Sequence, residues 1–121
     1  RPGEVDPARW IMSLAAPIVD SIFDANGEVL LFDVRGLGAV GLQLSGTFTL
    51  TVQFEATVDG ETFVGLNMLP SNSATAVSST TAAGAWRANV AGYRMVRARV
   101  SAFTSGSANA TFLAASTGGA H

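Results

Sequence analysis

The chain has no cysteine, no lysine and a single histidine, the terminal His121. Without cysteine there are no disulfides and no thiolate metal ligands, and the redox compartment leaves no mark. A lone histidine in a Gly-Gly-Ala-His tail reads as a frayed end or an expression remnant rather than a ligand. Zinc sites built from His and Cys are excluded, and so is a Ser-His or Cys-His nucleophile pair. Charge is scarce: seven basic and nine acidic residues in 121, net −2. That is too little positive charge to hold nucleic acid by counterion release. No run of about 18 apolar residues is present to span a bilayer. No basic segment leading into an apolar run reads as a signal peptide.

What remains is 48% apolar and only 13% charged, a composition that points to surface covered by other subunits. Arginine as the only strong cation suits packed contacts, because guanidinium is weakly hydrated and forks onto carboxylates. A length of 121 residues fits one domain with its own core.

Residues 1–27 stand apart. They hold Pro2, Pro7 and Pro17, and Trp10, Ile11 and Leu14 follow helical spacing behind a candidate N-cap at Asp6. Pro17 ends or kinks such a helix. Two readings stay open: a helical turn or strand packed on its own domain, or an arm that reaches a neighbouring subunit. From residue 28 to 116 the chain reads as strand after strand, and 117–121 is a Gly-rich tail.

The clearest pattern is Phe48 to Val58, where Phe48, Leu50, Val52, Phe54, Ala56 and Val58 alternate with Thr49, Thr51, Gln53, Glu55 and Thr57. Asp59-Gly60 follows as a two-residue hairpin signal, with a return strand expected over Glu61–Met68. Strands are also expected over 28–34, 39–45, 85–90, 94–103 and 108–116, and the segment 74–84 reads as a weak edge strand or a long loop. About eight short strands at even spacing, without a long helix between them, predict an all-β antiparallel sandwich of jelly-roll type.

The candidate chemistry is thin. Gly36 to Gly41, "GLGAVG", matches a dinucleotide-loop spacing but precedes a strand rather than opening a helix. Glu55, Asp59 and Glu61 cluster at the hairpin, an exposed convex place that neither raises a carboxyl pKa nor shapes a cleft. Clustered oxygens at Asp59 and Glu61, or Asp24 and Glu28, offer calcium ligands without the alternating spacing that would make them specific. Arg97 and Arg99 share one face of their strand, with Arg87 and Arg94 placed to extend it. Cross-strand pairing with the outward Thr, Gln and Glu of 48–58, a subunit interface and ligand contact all compete for them. Trp86, Tyr93 and Phe103 offer a sugar-stacking platform, or core and rim anchors.

The segments "VQFEATVDGETF" (52–63), "WRANVAG" (Trp86–Gly92) and "RARVSAFTSG" (Arg97–Gly106) occur in an order and spacing that resembles small β-sandwich virion proteins of tailed bacteriophages and prophages. The resemblance covers about residues 38–115, leaving residues 1–27 outside. It implies a capsid decoration or cement protein, or a head-tail or baseplate accessory. Such a protein is made in the host cytoplasm and carried on the virion's capsid surface. It has no catalytic residues and no cofactor. It associates with itself, a trimer matching three-fold sites, and docks on the major capsid protein or other virion proteins. Trp10, Ile11, Leu14, Arg87, Arg97 and Arg99 are the expected interface residues. A carbohydrate-binding domain of a tail or baseplate protein is the alternative, resting on Trp86 and Tyr93.

Overall fold

The computed structural model describes residues 18–115, and among them there are ten strands and no helix. They are β1 (Ile18–Phe23), β2 (Val29–Asp33), β3 (Ala39–Ser45), β4 (Phe48–Thr57), β5 (Val64–Gly65), β6 (Leu69–Pro70), β7 (Ser79–Thr80), β8 (Gly84–Asn89), β9 (Met95–Gly106) and β10 (Ala108–Ala115). One five-stranded sheet, here sheet A, has the order β1-β10-β3-β8-β6, and the second, sheet B, runs β2-β9-β4-β5 with β7 also paired to β4. Every ladder is antiparallel. β1 pairs β10, β2 pairs β9, β3 pairs β8 and β4 pairs β7. The chain is thus one long hairpin folded over on itself, first strand against last, and successive pairs fall alternately in the two sheets. That winding is the jelly roll expected from the sequence.

Alternation decides the core. Val40, Leu42 and Leu44 of β3 and Leu50, Val52, Phe54 and Ala56 of β4 are buried, while their neighbours face outward. Aromatic pairs bridge the sheets: Phe32 stacks on Phe112 with centroids 5.6 Å apart, and Phe54 meets Trp86 at 5.4 Å. The β4–β9 ladder carries two register shifts, where β9 supplies extra residues around Ser101 and Thr104. Past them the hairpin to β10 closes at Gly106, which has φ +86°. A Cβ there would collide with the Thr47 carbonyl and lie 2.7 Å from the Phe48 Cα.

Two expectations need correction, and a third is resolved. First, the sandwich begins before residue 28: Ile18–Phe23 is an edge strand of sheet A, which over that stretch is the reading of a strand packed on its own domain. Trp10, Ile11 and Leu14, and the tail 117–121, lie outside the described residues. Second, Asp59-Gly60 is not a two-residue hairpin. Glu55 pairs Gly65 and Ala56 pairs Val64, which leaves a loop over residues 57–63 and a return strand of two residues. The reason is local: Thr57 turns inward and is 1% exposed, so Val58, expected in the core, is 67% exposed. Third, the segment 74–84 is both of its expected forms, a loop carrying the short strand β7 and a single bridge from Val77 to Met68.

Candidate functional site

The outer face of sheet B holds the densest charge chemistry among the described residues. β4 and β9 align Glu55 with Arg97 and Gln53 with Arg99. The two arginines, two residues apart on β9, therefore flank one carboxylate. Arg97 Nε donates to Glu55 Oε1 at 2.6 Å, and Arg99 donates through Nε to Oε1 at 3.0 Å and through Nη2 to Oε2 at 2.9 Å. The Glu55 side chain is only 14% exposed, with Arg97 at 26% and Arg99 at 36%. Hydrogen bonding from Arg99 holds the Glu55 carboxyl below its usual range. Partial burial opposes that shift, and Arg97 adds to it. The Arg99 guanidinium is held above its own usual value by the same bonds.

Neighbouring groups extend this face. The Arg97 guanidinium lies 3.9 Å from the Phe63 ring centroid, a cation–π contact supplied by the long 57–63 loop. Gln53 Nε2 donates to Ser101 Oγ at 3.2 Å. On the other flank, Val29 pairs Arg99 and Leu31 pairs Arg97 across the β2–β9 ladder, and both aliphatic side chains stand exposed. The face is thus a half-buried ion triad between an aromatic ring and two exposed aliphatics.

The other candidates resolve differently. Of the outward polar row of β4, Glu55 meets arginines on its own sheet, and Gln53 meets Ser101. Arg87 does not join Arg97 and Arg99. It lies on β8 in sheet A, paired with Gly41 and Leu69, on the opposite side of the sandwich. Arg94 precedes β9 and donates to the Asp59 carbonyl at 3.2 Å. Trp86 is 6% exposed and packs on Phe54, so it cannot offer a flat face to a sugar ring. Tyr93 and Phe103 pack partly buried against the same core. Strand parity, which points Trp86 inward, removes it from the expected stacking platform.

The acids at the hairpin are engaged in building the loop. Asp59 Oδ1 accepts from the N–H groups of Glu61 and Thr62, both at 2.8 Å, and from the Thr57 hydroxyl at 3.0 Å. Those bonds, the Thr62 amide first, hold its carboxyl at about 2. Asp33 is lowered by its ion pair with Arg35. Glu28 Oε1 accepts from the amides of Asp24 and Ala25 and closes the β1–β2 turn. Among the described residues no three His, Cys, Asp or Glu side chains converge to hold a metal. Gly36 has φ +78° in the turn between β2 and β3, and no helix follows it to receive a phosphate. A cleft of ≈ 480 Å³ beside β7 and β8, lined by residues such as Ser71, Thr80 and Trp86, contains no ionisable side chain.

No protein-family model matches the chain, and no curated protein matches it. Solved structures do share its fold. YomS, a protein derived from the SPBc2 prophage, superposes with a TM-score of 0.67 at 16% identity, over 82% of this chain and 96% of YomS. XepA, an exported protein of PBSX, gives 0.69 at 22% identity over 83% of this chain. There the chain corresponds to only 38% of the longer protein. PliG of Aeromonas hydrophila, a periplasmic inhibitor of g-type lysozyme, gives 0.51 at 7% identity, covering 83% of this chain and 86% of PliG. At these identities the likeness is one of fold, a β-sandwich shared with two prophage-derived proteins.

Proposed function

We propose that the chain is a non-enzymatic structural protein of a phage or prophage, working through contacts with copies of itself and with other virion proteins. Its finer form is capsid decoration: a jelly roll docked on the major capsid protein at the outer surface of the particle. The observation that carries the reading is the fold likeness to YomS, matched almost end to end. The surface agrees in kind. The described carboxylates Asp33, Glu55 and Asp59 are tied into ion pairs or turn hydrogen bonds. A lattice protein gains its hold from many modest contacts repeated by symmetry. A half-buried arginine–carboxylate cluster beside exposed aliphatics is the chemistry of such a contact.

Trp10, Ile11 and Leu14 remain in this proposal as anchors on a neighbour. Their test must spare β1, so the truncation stops before Ile18. The direct experiment mixes purified protein with particles assembled without it and sediments the particles. Saturable co-sedimentation supports the reading, and loss of binding on truncation assigns it to the N-terminal segment. Protein left wholly in the supernatant overturns it. That last outcome fits a protein released from the cell, a reading favoured by the likeness to the exported XepA. The carbohydrate alternative loses Trp86, which is buried, and keeps only the half-buried Tyr93.

A further inference from the structure

Each sheet of a sandwich ends in strands with one unpaired edge, and proteins blunt such edges with short strands, proline or charge. Here β5 is two residues long, and β6 is two residues including Pro70. β1 is longer, but Asp20 sits near its middle on the solvent face, so a two-fold pairing centred there would oppose Asp20 to its own copy. β2 is longer than β5 and β6, and its single charge, Asp33, stands at its end, paired with Arg35. Its five residues, Val-Leu-Leu-Phe-Asp, contain no proline or bulge and alternate aliphatics on both faces.

The β2 hydrogen bonds fix which backbone groups are left over. Val100 N donates to Glu28 O at 2.8 Å and Val34 N donates to Arg94 O at 3.0 Å. Even-numbered residues of β2 therefore bond to β9, and the N–H and C=O groups of Val29, Leu31 and Asp33 point to the edge that no strand among the described residues pairs. These residues also carry the outward side chains, Val29 being 43% and Leu31 48% exposed.

We propose that β2 is a homotypic docking edge: a second copy of this chain adds its own β2 antiparallel, on a two-fold axis through Leu31. This rests on the self-association in the function proposed above and names its surface. The register sets Leu31 against its own copy and Val29 against the partner's Asp33. Three residue pairs then exchange the open N–H and C=O groups, and the two B sheets become one continuous sheet. Charge selects the antiparallel sense. The turn at the start of β2 carries Asp24 and Glu28 and no cation, while Arg35 and Arg94 lie at the far end beside Asp33. Two-fold symmetry brings Arg35 of each copy opposite Gly27 of the other, against the acidic turn, twice per dimer. The assembly unit is then a dimer in place of the trimer that a three-fold site would call for.

The absence of native cysteine makes the register directly readable by cross-linking. Leu31→Cys alone is expected to give a disulfide-linked dimer under mild oxidation. Val29→Cys and Asp33→Cys are each expected to stay monomeric alone and to link when mixed. Leu31→Lys places two like charges on the axis and is expected to weaken the dimer roughly a hundredfold, with thermal unfolding of the monomer unchanged. Val64→Lys, at an exposed site on the far edge, leaves the dimer intact. A mass in sedimentation that is monomeric at about 0.1 mM overturns both this edge and the self-association behind it. An oligomer that survives Leu31→Lys and yields no Leu31→Cys cross-link overturns the edge alone. Particle binding is read separately and depends on neither variant.

Discussion

Replacing Glu55 with glutamine keeps the shape of the side chain and removes the charge that two arginines share. Three hydrogen bonds converge on this carboxylate. A hydrogen bond to a charged group is worth about 1.5–3 kcal/mol when its partner is lost. An exposed ion pair contributes only about 0.2–1 kcal/mol, and breaking a fully buried one costs about 3–5. Glu55, with 14% of its side chain exposed, lies between these limits, and the partial exposure of both arginines discounts the Coulomb part. The expected loss is about 2 kcal/mol, which lowers the unfolding midpoint by roughly 10 °C in calorimetry and by about 1 M in urea. Because the Glu55 carboxyl is depressed, its contribution is present above the unfolded value of about 4.3 and fades as pH falls through the folded value. The gap between wild type and variant therefore closes in strong acid. A loss under about 0.5 kcal/mol at neutral pH would refute the assignment, as would additivity in a cycle with Arg97→Met.

Two further outcomes check the scaffold around the face. Thr57→Val removes a 1%-exposed hydroxyl that donates to Asp59 and accepts from Gly60 N at 3.0 Å. About 1–3 kcal/mol should be lost in urea unfolding, and NMR titration should show the Asp59 carboxyl rising from about 2. A carboxyl that does not move would mean that the hydroxyl has no part in depressing it. Gly106→Ala meets both a left-handed φ and the backbone of Thr47 and Phe48. Roughly 3 kcal/mol of destabilisation is expected, and a neutral effect would contradict the tight β9–β10 turn.

The sandwich was legible because β3, β4 and β10 bury one face each, and alternation of Val40-Leu42-Leu44 or Phe48 to Ala56 states that in the residues themselves. The contact of Glu55 with Arg97 and Arg99 was legible in kind for the same reason: outward residues on paired strands must meet. Placing Arg87 beside them was not possible from spacing, since β8 and β9 are adjacent in sequence yet lie in opposite sheets. That is a property of the winding, set by long-range pairing that no local pattern encodes. The Asp59-Gly60 hairpin misled because turn propensity is local, while Thr57 and the Asp59 carboxylate recruit the next amides into a wider loop. Phe63 was missed with it, because only that wider loop carries its ring over Arg97. The edge residues Val29 and Leu31 follow parity, but their exposure depends on β2 being last in its sheet.

On the function proposed above, the protein is a virion component held by contact. Quantitative mass spectrometry of purified particles from the parent phage or induced prophage tests it most directly. The chain is expected in the particle fraction, in many copies at a fixed ratio to the major capsid protein and resistant to washing. Its presence only in the soluble lysate or the medium would rule out a role in the virion.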